Sequence, residues 1–373
     1  MTTVTLGILG GGQLGRMIAV EARKMGHKVA IMDASADCPA RGCADHFVHG
    51  ALDDADAVAR MNELSDVLTL ETEHVPAELL ERIEKPLRPN AKVFWHIQDR
   101  LRQRELLASL GIPQPVWAPV GNPDEARAAF AQTGPGILKS RRGGYDGKGQ
   151  IRLKEGDDPA AAYEQMGAPA VMERFVPFDD EVSILVARGL DGATATYPIA
   201  HNEHRGGILH ITTAPTPLPA PLLAEAERIA ATIAEGLDHI GVLCVELFVV
   251  GDQLLVNEVA PRVHNSGHYT YGACITNQFE QHARAVLGLP LGDTTQLAPA
   301  AMLNILGDAW KDGEPDWSPV LAAPGTTLHL YGKSEARPGR KMGHVIVVDQ
   351  DLSAARRRAE QLHADLVSSA KPS

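Results

Sequence analysis

Two glutamates stand either side of one tight turn. The segment Val242–Val250, the turn Gly251-Asp252-Gln253 and the segment Leu254–Val259 predict a β-hairpin. Pairing Val250 with Leu254 sets Phe248 opposite Val256 and Glu246 opposite Glu258. Carboxylates directly across a ladder repel one another. In so apolar a segment they persist comfortably only with a cation between them or with one of them protonated, the plain alternative being an edge pair splayed into solvent. Two hard oxygen donors suggest Mg²⁺, bridging to a nucleotide.

A second segment could hold that nucleotide. Ser140-Arg141-Arg142-Gly143-Gly144-Tyr145-Asp146-Gly147-Lys148-Gly149-Gln150 carries four glycines and three cations in eleven residues, so its amides and charges can fold over phosphates. It lacks P-loop spacing and joins two strands, which leaves a solvated hairpin turn as the plain alternative. Lys139, ending the apolar strand before it, needs a partner. A third segment, Gly10-Gly11-Gly12-Gln13-Leu14-Gly15, sits at a strand-to-helix junction with Asp33 ending the next strand. That spacing fits a dinucleotide and hence a dehydrogenase. The same glycines also suit close packing of a helix on a sheet, or a site for one phosphate or ribose. Lys333, Arg337, Arg340 and Lys341 cluster around a Pro-Gly turn that can aim donors at a phosphate. His201, His204, His264 and His268 lack the spacing of a zinc site.

These residues need elements to carry them. Val4–Leu9, a helix through about Met25, and Lys28–Asp33 form a βαβ unit, so the N-terminal sheet is parallel. A helix over Asp53–Leu64, a strand at Val67–Leu70 and a helix at Ala77–Ile83 continue it, and Pro86–Asn90 reads as a linker. Beyond it come a helix at Asp99–Ser109 and strands at Gly136–Lys139, Ile151–Leu153, Val171–Val176 and Glu181–Ala187. Helices at Ala224–Leu237 and Asn277–Leu287 flank the hairpin. Short strands (Thr326–Tyr331, His344–Val348) and a helix at Leu352–Val367 close the chain.

The composition bounds what this set can do. The chain has 373 residues, enough for two or three domains. Its 35 Lys+Arg against 47 Asp+Glu give a net charge of −12, which disfavours nucleic acid or an anionic membrane as partner. Any bound phosphate must be held locally. No apolar run approaches the ~18–20 residues of a membrane span. Four scattered cysteines and no leader-like N-terminal segment lead to the expectation of a reduced, cytoplasmic protein.

Together, Gly7–Met17, Gly143–Gln150, Asn257–His268 and Arg337–His344 resemble the ATP-grasp superfamily. Within it they resemble most closely the N5-carboxyaminoimidazole ribonucleotide synthase family of purine biosynthesis. The resemblance runs from residue 4 to about 350. It implies a Rossmann-like domain over 1–98, an ATP-grasp domain over 99–310 with a Gly-rich lid at 140–150, and a small β-rich subdomain over 311–373. It implies ATP- and Mg²⁺-dependent carboxylation of 5-aminoimidazole ribonucleotide by bicarbonate through carboxyphosphate, in a homodimer. A sibling ligase acting on another ribonucleotide amine is the alternative.

Carried over by position, Arg100, Lys139, Gly144, Tyr145, Asp146, Gly147, Lys148, Gly149, Gln150, Glu173, Arg174, Phe175, Val176, Glu181, His204, Asn257 and Glu258 are expected at ATP. The resemblance places Gln13, Leu14, Glu73, Lys333, Arg340 and Lys341 on the ribonucleotide, which would give the N-terminal glycine loop to that substrate rather than to NAD. Tyr145, Asp146, Lys148, Arg262 and His264 are expected near the reacting groups, and Glu246 and Glu258 at the metal. Many ATP-grasp enzymes have Asn two residues past the second metal glutamate; here Ala260 stands there.

Overall fold

A computed structural model describes residues 2–144, 149–311 and 313–368. Three sheets carry the architecture. The first is parallel, in the order His46–His49, Lys28–Asp33, Thr5–Leu9, Val67–Leu70. Its strands are nearly continuous apolar runs because helices cover both faces. The helix Gln13–Lys24 supplies the first crossover and buries Leu14, Met17, Ile18 and Ala22. The stretch read as a linker is followed by a further helix, Ala91–Ile97, which buries Val93, Phe94 and Ile97. Pro86, Pro89 and the polar Asn90 disguised its start.

The second sheet is antiparallel, in the order Trp117–Val120, Ala170–Arg174, Gly136–Ser140, Gln150–Leu153. Helices Pro123–Thr133 and Pro159–Met166 pack on it through Ala126, Ala129 and Ala162. Each starts with proline after a side-chain cap, Asn122 or Asp158. The segment 140–150 therefore joins two paired strands, as its lack of P-loop spacing suggested.

The third sheet is the largest. Its order is Gln253–Ala260, Gly241–Val250, Asp180–Arg188, Ala200–Arg205, Ile208–Ala214, Ala300–Leu306, Lys341–Val348, Thr326–Leu330, with Thr194–Thr196 beside Asp180–Arg188. The C-terminal strands thus extend the sheet that carries the hairpin. The pairing of Glu246 with Glu258 is present, but the path to it differs from the expectation. The turn is Gly251-Asp252, so Val250 pairs with Gln253 and Phe248 with Leu255. A β-bulge between Glu246 and Leu247 in the register then takes up Asn257 and restores the carboxylate pair.

Two buried contacts dock the first sheet against the third. His282 accepts from Val242 N at 3.0 Å and, through its other ring nitrogen, meets Thr69 Oγ1 at 2.8 Å. Burial lowers its pKa to about 3, so it serves as a neutral bridge. Asn277 Nδ2 donates to Glu21 Oε1 at 3.1 Å. The helix Arg100–Ser109 is capped by Asp99, whose carboxylate also binds Arg141 at 2.9 and 2.5 Å. Burial alone would raise the Asp99 pKa, but Arg141 and the amides of Leu101 and Arg102 outweigh it and hold it low.

Asp99→Ala should therefore cost about 2–4 kcal/mol, as loss of a cap and of a largely buried ion pair. Asp99→Asn keeps cap chemistry without the charge. A carboxyl held low in the folded state stabilises fully above the unfolded value of about 4 and loses that contribution as pH falls through the lowered value. The stability gap between wild type and Asp99→Asn, from urea titrations, should be full at pH 7 and shrink towards pH 3. A gap independent of pH would remove the ion pair from the account.

Candidate active site

The N-terminal glycine loop is closed from within. Glu71, ending the strand Val67–Leu70, accepts from Gly12 N at 2.6 Å and from Gly15 N at 2.7 Å, and Asp33 accepts from Gly11 N at 2.8 Å. The glycines permit this approach. A Cβ at Gly10 or Gly12 would lie 2.5 Å from a Glu71 side-chain atom. The helix-start amides that would hold a pyrophosphate are occupied by carboxylates, so the dinucleotide reading loses its donors. Burial pushes the Glu71 pKa up against the pull of these two amides. Of the two expected substrate residues here, Gln13 is partly exposed, whereas the Leu14 side chain sits in the apolar core and leaves only its backbone for a ligand.

Next to this loop, Glu73 pairs with Arg262 at 2.9 Å, linking the end of the parallel sheet to the residues just past the hairpin. His264 follows. Its Nδ1 accepts from Ser266 N at 3.3 Å and lies 2.9 Å from Ser266 Oγ, which directs Nε2 towards Glu246 Oε1 at 3.3 Å. A buried chain backs it: Thr212 Oγ1 donates to Asn202 Oδ1, Asn202 Nδ2 to Ser183 Oγ, and Ser183 Oγ to Ser266 Oγ, at 2.8–2.9 Å. Burial, and then Arg262, hold the His264 pKa well below its ordinary value, so the ring is neutral. Glu246 is pushed up to about 7, by burial first and by Glu258 next. Of the pair, Glu246 is half-buried and Glu258, on the edge strand, is exposed.

Lys139 has the partner its position demanded. Its Nζ lies 2.7 Å from Glu173 Oε2, both side chains being more than nine-tenths buried. Burial would raise the Glu173 pKa, but Arg104, then Lys139 and Arg100, bring it down to about 2. Arg100 reaches Ser140 O at 3.4 Å, and Gly149 O accepts from Ser140 N at 2.9 Å, closing the base of the Gly-rich loop. Gly149 has φ +67°, and a Cβ there would meet Ser140 Oγ at 2.6 Å. Gly144 is described, and Gln150 pairs with Lys139. Tyr145, Asp146, Gly147 and Lys148 lie outside the described residues.

Arg174 donates to Thr133 O at 2.8 Å and Phe175 N to Pro135 O at 2.9 Å, with Arg152 stacked 4.2 Å over the Phe175 ring; Val176 is half-buried beside them. Glu181 binds His204 Nδ1 at 2.9 Å; burial lowers the His204 pKa, but Glu181 and then Glu246 outweigh it and raise it.

The C-terminal cations point to the same place. Lys333 Nζ donates to Lys341 O at 2.7 Å, and its pKa falls to about 8 through burial and then Arg340. Arg340 is tied to Glu335 O at 2.7 Å, and Arg337 pairs with Glu335 at 3.2 Å. Lys341 lies within Coulomb reach of Glu246, His204 and His264. The structure thus brings the hairpin pair, Arg262, His264, Glu73 and Lys341 together, with Lys333 acting on Glu71, while Arg337 and Arg340 are tied to Glu335. Sequence reasoning missed Glu71 as a loop closer, the Ser183–Asn202–Ser266 chain and Arg104. Arg104 did carry a signal, because it falls at i+3 between Leu101 and Leu107, where an apolar residue is expected.

Three domain families match successive parts of the chain: a ribonucleotide synthetase preATP-grasp domain over residues 1–98, an ATP-grasp domain over 105–279, and a phosphoribosylaminoimidazole carboxylase C-terminal domain over 300–358. The N5-carboxyaminoimidazole ribonucleotide synthase of Brucella melitensis is 42% identical over 348 residues, covering 91% of this chain and 95% of that protein. A solved N5-carboxyaminoimidazole ribonucleotide synthetase from Thermus thermophilus superposes with a TM-score of 0.90 at 40% identity, covering 96% of this chain and 98% of that one. The Aspergillus clavatus N5-carboxyaminoimidazole synthase, solved with ADP and 5-aminoimidazole ribonucleotide, gives 0.88 at 30% identity, covering 98% and 99%. With a closed glycine loop, a paired-glutamate hairpin and identity of this extent, the chain belongs to the N5-carboxyaminoimidazole ribonucleotide synthase family of ATP-grasp ligases.

Proposed function

We propose that this chain uses ATP to carboxylate the exocyclic amine of 5-aminoimidazole ribonucleotide with bicarbonate, yielding N5-carboxyaminoimidazole ribonucleotide, ADP and phosphate. The carrying observation is that one short segment, Glu258 to His264, touches both halves of such a reaction. Its start faces Glu246 across the hairpin, and its end is tied through Arg262 to Glu73 beside the glycine loop.

The residues fit a divalent cation. Glu246 and Glu258 offer hard oxygen donors, and burial first and Glu258 second raise the Glu246 pKa. Among the described residues no group of three or more His, Cys, Asp or Glu is arranged to hold a metal. A Mg²⁺ at the pair would take its remaining ligands from phosphate oxygens and water, in keeping with Ala260. When bound, it would supply charge neutralisation at the transferring phosphoryl group.

In this reading a bicarbonate oxygen attacks the γ-phosphorus of ATP, ADP departs, and the amine then attacks the carboxyl carbon of carboxyphosphate as phosphate leaves. Lys139, fixed by Glu173, presents its ammonium to the nucleotide phosphates, with Arg100 beside it. Glu181 and His204 line the nucleotide's other flank, and the stretch Glu173–Val176 its base side. Tyr145, Asp146 and Lys148, outside the described residues, are assigned to the reacting groups by the resemblance. Arg262 would orient the carboxyl transfer, while neutral His264 steadies Glu246 through Nε2. Gln13, the Leu14 backbone and Glu73 would receive the ribonucleotide, whose 5′-phosphate Lys333, Arg340 and Lys341 would hold. We assign residues 1–98, 99–310 and 311–373 to the three parts of the machine. We further assign the protein to the cytoplasm and to a homodimer.

Phosphate release from ATP should require both 5-aminoimidazole ribonucleotide and bicarbonate. Release indifferent to either would overturn the assignment, and release driven by another ribonucleotide amine would favour a sibling ligase. Arg340→Ala removes one charge-assisted contact of about 1.5–3 kcal/mol, so the ribonucleotide KM should rise roughly ten- to a hundredfold with little change for ATP. Equal changes for both substrates would place Arg340 elsewhere. Glu258→Gln relieves the carboxylate repulsion, so the metal-free protein should melt no lower than wild type. Its turnover should fall on the order of a hundredfold or more, and it should gain much less thermal stability from Mg²⁺-ADP. Near-normal turnover together with a wild-type thermal gain would sink the paired-carboxylate site.

A further inference from the structure

The pairing of Glu246 with Glu258 depends on one extra residue. Counting back from the turn, regular pairing runs Val250–Gln253, Val249–Leu254, Phe248–Leu255, Leu247–Val256. Continued without interruption, it would set Glu246 against Asn257 and Glu258 against Val245. The bulge at Asn257 is therefore what puts the two carboxylates opposite each other. A bulge leaves its backbone groups without ladder partners and re-aims the side chain that follows. On this edge strand the carbonyls of Val256 and Asn257 accept from outside the hairpin.

Both carbonyls are taken by one side chain. Arg104 is fully buried, on the inward face of the helix Arg100–Ser109. Its Nη1 donates to Val256 O at 2.9 Å and its Nη2 to Asn257 O at 2.7 Å. The third arm, Nε, donates to Glu173 Oε1 at 2.9 Å, and Glu173 in turn holds Lys139 at 2.7 Å. Gln114 completes the surroundings, accepting from Nη1 at 3.4 Å and donating to Arg104 O at 3.0 Å. The strand has other anchors, since Val256 N donates to Pro113 O at 2.9 Å and Gln103 Nε2 to Val259 O at 3.5 Å. Only Arg104, among the described residues, is recorded on both bulge carbonyls. A planar guanidinium can bridge two carbonyls and a carboxylate at once, and a lysine ammonium cannot match that fork.

We propose that Arg104 is a positioning residue for the nucleotide–metal site. It clamps the Asn257 bulge so that Glu258 faces Glu246, and through Glu173 it sets Lys139 in the same frame. The two halves of the nucleotide grip, the basic strand Gly136–Ser140 and the acidic hairpin, then move as one unit. The proposal rests on the reading of Glu246 and Glu258 as a Mg²⁺ site.

The test measures ADP binding to the full-length protein by calorimetry in EDTA and in excess Mg²⁺, taking the ratio of the two Kd values as the metal increment. In Arg104→Met the increment should fall about tenfold, beyond the weakening in EDTA that a loosened Lys139 brings. Arg104→Lys keeps the charge without the fork and should lose about threefold. Hydrogen exchange in the apo protein should rise within Leu254–Ala260 in both variants, with the parallel sheet unchanged. A wild-type increment in either folded variant would overturn the clamp, as would an equal loss of ADP affinity with and without Mg²⁺. If Arg104→Met does not fold, Arg104→Lys decides the matter alone. A wild type with no metal increment would instead refute the Mg²⁺ site on which the clamp depends.

Discussion

Carboxylates that must face one another or face the chain's own amides govern this site. Glu246 and Glu258 stand across a ladder where side chains approach to roughly 5 Å, a placement that costs free energy in the empty protein. Around them the chain spends its cations sparingly. Arg104 and Lys139 are locked on Glu173, Arg262 on Glu73 and Arg141 on Asp99, so few buried charges lack a counter-charge. The hairpin pair stands outside that pattern: Glu246 is half-buried and eased by His204 and Lys341, while Glu258, on the edge strand, is exposed. In the proposed reading, a divalent cation entering there would meet donors already in place, and would give a triphosphate local attraction in an acidic chain without a basic surface.

The glycine loop illustrates how one motif serves two outcomes. Backbone amides at a helix start attract any anion, and a dinucleotide fold exploits that with pyrophosphate. Here Glu71 reaches back from a neighbouring strand and satisfies the amides of Gly12 and Gly15 itself. The glycines are needed for the close approach of a side chain. The loop thereby gains a fixed shape, and Glu73, two residues on, is held beside Arg262.

Much of this was legible in the residue pattern. The parallel unit followed from strand–helix–strand alternation, and the hairpin from alternation around Gly251. The carboxylate pair was read correctly although the turn was misjudged by one residue, because the bulge at Asn257 offset that error. A bulge has no signal of its own in a single sequence; it is stabilised from outside, here by an arginine 153 positions away. The strands Ala200–Arg205 and Ile208–Ala214 escaped for a related reason. Their inward residues include Asn202 and Thr212, which belong to a buried hydrogen-bond chain and break the apolar alternation. The helix Ala91–Ile97 was hidden by the prolines before it. At the bulge and in the two strands, tertiary contacts overrode the local signal.

The C-terminal strands add a geometric point. On a flat sheet, five strand steps of roughly 4.8 Å would set the strand of Lys341 about 24 Å from that of Glu246. Yet Lys341 acts electrostatically on Glu246, His204 and His264. Twisted sheets of this size curl, and here His344, on the strand of Lys341, packs 4.6 Å from His268, just past the hairpin. The cations at Lys333, Arg340 and Lys341 and the carboxylates of the hairpin consequently ride on one hydrogen-bonded framework. Their separation is set by backbone curvature and register rather than by the packing of independent domains. In the proposed reading, that would make the spacing between a phosphate held at one end and a phosphoryl group transferred at the other a property of the sheet itself.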